Sequence, residues 1–227
     1  MFEKLSTVSP SDVIFLEMIR RAKFTAIYIV SINSTKHAMK VYRRRQRSEW
    51  DDPNYEVDIF NREVSAYRRL KAKDVCDSGH IPNFYGAIEN IQIAQWAPHL
   101  DIFHQEQIPP AAIFMEYIPN MHRLDLSTYS HQRTEILGNI LKEIHAAHVL
   151  HGDTKPRNMM IVPGEKERVL WIDFDFADVL PEGPLSERHE IWLREEAGYA
   201  NDVFGLLSED YERGDGQLKS ARMVYSS

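Results

Sequence analysis

The chain has 227 residues, 43% of them hydrophobic, which is ample for a core in one compact domain or one domain of two lobes. Lys+Arg total 27 against 34 Asp+Glu, and the net charge of −7 speaks against a general nucleic-acid or membrane footprint. A single cysteine, Cys76, excludes an internal disulfide; it reads as a small core hydrophobe in a reducing compartment.

The N-terminus lacks a basic segment followed by an apolar one, and no apolar run approaches the roughly 18 residues of a membrane span. The expectation is a cytoplasmic chain with no membrane partner. Residues 13–16 and 24–32 are apolar and rich in β-branched and aromatic side chains. Asn33-Ser34 is a turn signal, and 37–42 resumes the strand pattern, so the first 42 residues read as an antiparallel meander. Four arginines in 43–47, followed by Asp51, Asp52 and Pro53, read as a surface loop, with an anionic-ligand or partner contact as the alternative.

Residues 59–71 are helical, because Phe60, Val64, Tyr67 and Leu70 make one apolar stripe. Glu63 lies on that stripe. A buried carboxylate needs a partner, so Glu63 either has one or sits at the stripe's edge in water. Residues 81–86 open a strand–turn region, 87–94 read as a strand, and the mixed segment up to Pro109-Pro110 reads as a surface insertion. A buried strand spans 111–118, and a helix spans 134–148 on Ile136, Leu137, Ile140, Leu141 and Ile144. Residues 169–176 alternate as a strand, with Leu170, Ile172, Phe174 and Phe176 on one face and Trp171, Asp173 and Asp175 on the other. A turn at 181–184 leads to a helix over 186–207, interrupted near Gly198. The polar tail around Gly214 and Gly216 reads as frayed.

The densest chemistry lies in His151-Gly152-Asp153-Thr154-Lys155-Pro156-Arg157-Asn158, followed by Trp171-Ile172-Asp173-Phe174-Asp175. Upstream, a strand carries Lys40 in His37-Ala38-Met39-Lys40, and a helix carries Glu63. Singly these are cheap: a strand Lys is usually a solvated charge, a strand-end Asp a turn former, and His151 a structural hydrogen-bonder. In this order and spacing, from about residue 13 to about 207, the chain resembles the protein-kinase-like superfamily. Its Ile-Asp-Phe-Asp and His-Gly-Asp…Pro-Arg-Asn wording is most similar to the short kinase-like proteins of filamentous fungi.

The resemblance implies an α+β, bilobal protein-kinase-like fold with a truncated C-lobe. Residues 1–118 would form the N-lobe, with an insertion at 87–110; residues 119–227 would form a reduced C-lobe carrying the catalytic loop. It implies ATP and Mg²⁺ as cofactors. Lys40 would hold the α- and β-phosphates with Glu63 as its helix partner, and Glu116 to Ile118 would read adenine through backbone groups. Asp153 would orient the attacking hydroxyl, Lys155 would stabilise the moving phosphoryl group, and Asn158 and Asp173 would ligate Mg²⁺. Asp202 would brace the catalytic loop from a helix.

Three departures shape the functional reading. Between the first two strands stands Met18-Ile19-Arg20-Arg21-Ala22-Lys23-Phe24 rather than a glycine-rich phosphate loop. Asp175 replaces the glycine of Asp-Phe-Gly, which small-molecule kinases tolerate and which offers a second metal contact. The short span from Asp173 to Asp202 leaves no room for a full peptide-docking platform. The leading expectation is an ATP/Mg²⁺-dependent phosphotransferase acting on a small-molecule or atypical acceptor. The alternatives are a pseudokinase-type binding module using 95–110 as its interaction loop, and a kinase fold turned to another group transfer. An aminoacyl-tRNA-dependent cyclodipeptide synthesis would be one such transfer, with the arginine run as the tRNA contact.

Overall fold

The computed structural model describes residues 3–225, and these form a mixed α+β fold built on antiparallel sheets. Strands β1 (Ile14–Arg21), β2 (Thr25–Ile32) and β3 (Thr35–Tyr42) make the expected meander. Asn33 and Ser34 take φ of 49° and 62°. A two-residue turn of that hand matches the twist of its strands and joins β2 to β3 with no slip in register. Helix α1 (Ile59–Ala72), capped by the Asp58 carboxylate on the Phe60 N–H, comes next. Strands β4 (Phe84–Ile88) and β5 (Ala111–Glu116) complete a five-stranded sheet in the order β1-β2-β3-β5-β4.

Alternation sorts the sheet into two faces. Met39, Val41, Ala112 and Phe114 pack on the outer face, while Tyr42, Ile113 and Met115 join the core that contains α1. Lys40 shares the parity of Tyr42 and is thereby aimed at α1.

The segment after β4 departs from expectation. The strand stops at Ile88, and Asn90 turns left-handed, with φ 55°, carrying the chain off the sheet. Residues 95–110 are not a surface appendage. Trp96, Leu100 and Phe103 are 5, 0 and 1% exposed and close the outer face of the sheet. Burying each such side chain is worth about 2 kcal/mol, which an exposed interaction loop would forgo.

The second half begins with β6 (His122–Arg123) and α2 (His131–Ala146). Then come β7 (Val149–Leu150), β8 (Met159–Val162), β9 (Arg168–Trp171) and β10 (Asp178–Val179). Strands β6, β8 and β9 form one small sheet, and β7 and β10 another. The expected strand over 169–176 ends at Trp171. Asp173 takes φ 67°, which breaks the alternation, so Leu170, Trp171 and Phe174 are all buried while Phe176 is exposed.

Helix α3 (Glu187–Arg213) runs unbroken through Gly198 and Gly205. Each glycine costs about 1 kcal/mol relative to alanine, less than the packing of Ala200, Val203 and Leu207 returns. The tail is docked rather than frayed as far as α4 (Arg222–Tyr225). The fully buried Asp210 carboxylate accepts the N–H groups of Lys219, Ser220 and Ala221 at 2.8–2.9 Å, and Tyr225 donates to the Leu124 carbonyl at 2.6 Å. Burial pushes the Asp210 carboxyl up, but the three N–H groups and Arg213 outweigh it and hold it well below the ordinary carboxylate range. Among the described residues no helix is long and apolar enough to cross a membrane.

Candidate functional site

The site is organised around Lys40, which is 4% exposed. Its ammonium donates to Glu63 Oε2 at 2.6 Å and to Asp173 Oδ1 at 2.5 Å. The question left by the α1 stripe is thereby answered: Glu63, 1% exposed, is paired. Tyr42 donates its hydroxyl to Glu63 Oε2 at 2.8 Å, and the Phe174 N–H reaches Oε1 at 3.4 Å. One carboxylate therefore ties β3, α1 and the segment after β9 together. Arg62, its neighbour on α1, extends the tie by donating to the carbonyls of Phe176 and Ala177.

The loop 151–158 is held against the same segment. The His151 ring is fully buried, and its Nε2 lies 3.1 Å from the Ile172 carbonyl, so that nitrogen carries the proton. Burial holds this imidazole below its ordinary pKa, and it serves as a neutral strut. Gly152 has φ 77°, and a Cβ there would stand 2.1 Å from the Phe176 carbonyl oxygen, so no larger residue fits. Asp153 accepts from Asn158 Nδ2 at 2.6 Å and from Arg157 Nε at 3.0 Å. Lys155 is half-buried and makes no ion pair among the described residues. The structure thus gathers Lys40, Glu63 and Asp173 into one contact set and Asp153 with Asn158 into a second beside it.

Negative charge exceeds positive in this cluster. Burial alone would discharge Lys40; the carboxylates of Glu63, Asp173 and Asp175 outweigh it and hold the ammonium well above its ordinary range. Burial pushes Glu63 up to about 7 against the pull of Lys40. The Asp173 carboxyl is pushed up by burial, but Lys40 prevails and holds it below its usual value. Asp175 rises to about 6, through burial first and then the neighbouring Asp173 and Asp153.

That unneutralised charge fits a cation. Asn158 spends its Nδ2 on Asp153, leaving its Oδ1 as the available oxygen. Asp173 spends Oδ1 on Lys40, and its other oxygen makes no hydrogen bond among the described residues. No three Asp, Glu, His or Cys side chains among the described residues converge as a complete metal cage. Asn158 Oδ1 and the second carboxylate oxygen of Asp173 are the donors this site could offer a Mg²⁺ ion, which takes one or two protein oxygens and fills its shell from water and phosphate.

A cavity of about 130 Å³ opens above Lys40. Ile19 and Ile27 form one wall, Ala38, Met115 and Ile172 the rest of its apolar surface, and residues 116–118 its edge. Glu116 contributes less than the sequence implies. Its N–H is spent on the Asn83 carbonyl at 2.8 Å, and its carboxylate turns away to Arg168 at 2.6 Å. Among the described residues, the N–H groups of Tyr117 and Ile118 on that edge have no backbone partner outside the strand ladders. A larger concavity, about 1080 Å³, lies behind Glu116, where the charged side chains pair with one another: Arg168 with Glu116, Arg133 with Glu167.

One assignment is corrected. Asp202 is exposed on α3 and makes no side-chain hydrogen bond or ion pair among the described residues; the loop is braced by Glu196, about two turns earlier. Glu196 accepts the N–H of His151 at 3.0 Å, the N–H of Gly152 at 2.6 Å and His145 Nε2 at 2.7 Å. Glu196 lies on the α3 stripe with Ala200, Val203 and Leu207, the same signal that singles out Glu63 on α1. Neither protein-family models nor curated proteins returned a match to this chain.

Proposed function

We propose that this chain is an ATP- and Mg²⁺-dependent phosphotransferase of the protein-kinase-like fold, with a reduced C-terminal lobe after residue 118. The observation that carries the reading is Lys40 bridging Glu63 and Asp173 at 2.6 and 2.5 Å, from elements 23 and 133 positions away. A structural ion pair needs two members. A third, metal-suited carboxylate at the mouth of an apolar cavity is the arrangement that phosphoryl transfer uses.

Asp153, held by Asn158 and by both Nε and Nη2 of Arg157, would accept the hydrogen bond of an acceptor hydroxyl. The half-buried Lys155 two residues on supplies positive charge to the transferring group. Asn158 and Asp173 would hold Mg²⁺, which screens the charge of the phosphates. The acceptor would be a small molecule or an atypical site, because the short stretch between Asp173 and the start of α3 at Glu187 leaves little room for a peptide-docking segment. A cytoplasmic location accords with this chemistry.

A pseudokinase-type binding module remains the second reading. It is favoured by the 130 Å³ cavity, well under the ~300 Å³ of ordinary ligand pockets. It is also favoured by the β1–β2 turn at 22–24, which contains no glycine. The 95–110 segment does not serve it as a free loop, since its large apolar side chains are buried. The tRNA reading has less support. Arg43 and Arg44 are largely buried, and Arg47 is spent on the carbonyls of Asp52 and Tyr55. Calorimetric titration with ATP, with and without Mg²⁺, decides between transferase and module. We expect Mg²⁺-dependent binding that Asp173→Ala abolishes; absence of nucleotide binding in the wild-type chain overturns the transferase reading.

A further inference from the structure

A second cavity, of about 570 Å³, lies between the tip of the β1–β2 hairpin, the start of α1 and the arginine run. Its polar lining is Lys23, Arg43, Arg44 and Arg45 against one carboxylate, Glu106. Phe24, Val57 and Ile59 give it an apolar floor. Three of these cations have a carboxylate partner, Arg43 in Glu106, Arg44 in Asp58 and Arg45 in Asp51, and Lys23 is left over, so the cavity keeps a positive excess in a chain of net charge −7.

The cations are not equivalent. Arg44 is fixed by Asp58 at 2.6 Å and by Asn61 at 3.1 Å. Arg43 is fixed by Glu106, by the Ile102 carbonyl at 3.1 Å and by the Phe103 ring at 5.1 Å. These two form a rigid back wall. Among the described residues, the Arg45 side chain holds Asp51 through Nη2 alone and is 58% exposed, while the Lys23 ammonium meets only the ring of Phe24, 4.9 Å away. Lys23 and Arg45 are thus the groups with donors to spare, at the mouth of the cavity. Phe24 is 52% exposed beside them. A guanidinium and an ammonium over an aromatic floor suit an anionic head on an apolar body.

We infer that this cavity is a binding site for a small organic anion, a phosphate monoester or carboxylate carrying an apolar group. Lys23 and Arg45 hold the anion, and Phe24, Val57 and Ile59 hold the body. The site is distinct from the cavity over Lys40 and does not depend on the phosphotransfer reading. The arginine run closes into a pocket here, which suits a compact anion rather than an extended polyanion.

The test is titration of the full chain with phenyl phosphate, with inorganic phosphate and phenol as the two half-ligands. Phenyl phosphate is expected to bind at least about tenfold more tightly than either. The Lys23→Ala/Arg45→Ala double variant should weaken it by about tenfold, both residues being exposed and outside the core. Lys23→Arg should retain binding, and Arg20→Ala, which removes a cation from the cavity over Lys40, should leave it unchanged. Phenol binding as tightly as phenyl phosphate, or no binding at all, overturns the inference. So does loss of binding in Arg20→Ala with retention in the double variant, since the ligand would then sit over Lys40.

Discussion

The floor of the candidate site and the cationic cavity beside the hairpin use charge in opposite ways. On the floor, Lys40 is almost wholly buried and acids outnumber it, with Glu63, Asp173 and Asp175 all within its influence. In the cavity cations are in excess, and the outer two are exposed. Floor groups are one another's partners, so each also holds the fold together. Rim groups have donors left over, so they can be removed with little structural loss. Substitutions on the floor should therefore register as stability, and those on the rim as affinity.

The largest effect is expected at Gly152. An alanine Cβ there would meet the Phe176 carbonyl oxygen at 2.1 Å, and the residue has φ 77°. Backbone strain and overpacking together should cost about 4 kcal/mol in urea unfolding. Gly183 has φ 93° but nothing within 4 Å of its added Cβ, so Gly183→Ala should cost only the strain, about 1 kcal/mol. Equal costs at the two positions would show that the loop 151–158 does not pack against residues 173–177 as described.

The next effect is at Asp210, a buried acid remote from the site. Asp210→Asn leaves one or more of the N–H groups of Lys219, Ser220 and Ala221 poorly paired and should cost about 3 kcal/mol at neutral pH. The sign with pH follows from its depressed pKa. Folding holds this carboxyl below its ordinary 3.8, so its contribution is complete above that value and is lost as pH falls through the folded value. The stability gap between wild type and variant should narrow in acid. A gap independent of pH down to 2 would mean that the tail does not depend on the Asp210 charge.

These positions also mark what was legible in the sequence. The meander, α1 and α2 could be read because hydrophobic period is a local property, whereas the meeting of Lys40, Glu63 and Asp173, 23 and 133 positions apart, was expected only from the resemblance. The buried partner of Glu63 could be anticipated because an unpaired buried carboxylate is too costly to leave. The break at Asp173 was not legible, since a left-handed aspartate leaves no mark on hydrophobic alternation. Residues 95–110 misled for another reason. Trp96, Leu100 and Phe103 have the i, i+4, i+7 spacing of a helix, yet the segment forms only short 3-10 turns, and the outer face of the sheet explains why these side chains turn inward. Helix α3 outlasted its glycines because packing, not propensity, sets its length.

The smallest contrast is the most discriminating, because it separates position in sequence from position in space. Asp202 lies in the place the resemblance implies for the brace but points into solvent, whereas Glu196 receives two loop N–H groups and His145. Glu196→Gln keeps the shape and one acceptor oxygen but gives up the charge behind those bonds, and should cost about 2 kcal/mol. Asp202→Asn should stay within about 0.5 kcal/mol of wild type, as exposed substitutions do. Because Glu196 sets the course of the backbone just before Asp153, its variant should also weaken any Mg²⁺-nucleotide complex, while the Asp202 variant leaves it unaltered. Urea midpoints and nucleotide titrations on the two variants check both halves. The reverse order of effects would return the brace to Asp202 and show that α3 is misplaced by about two turns against the loop.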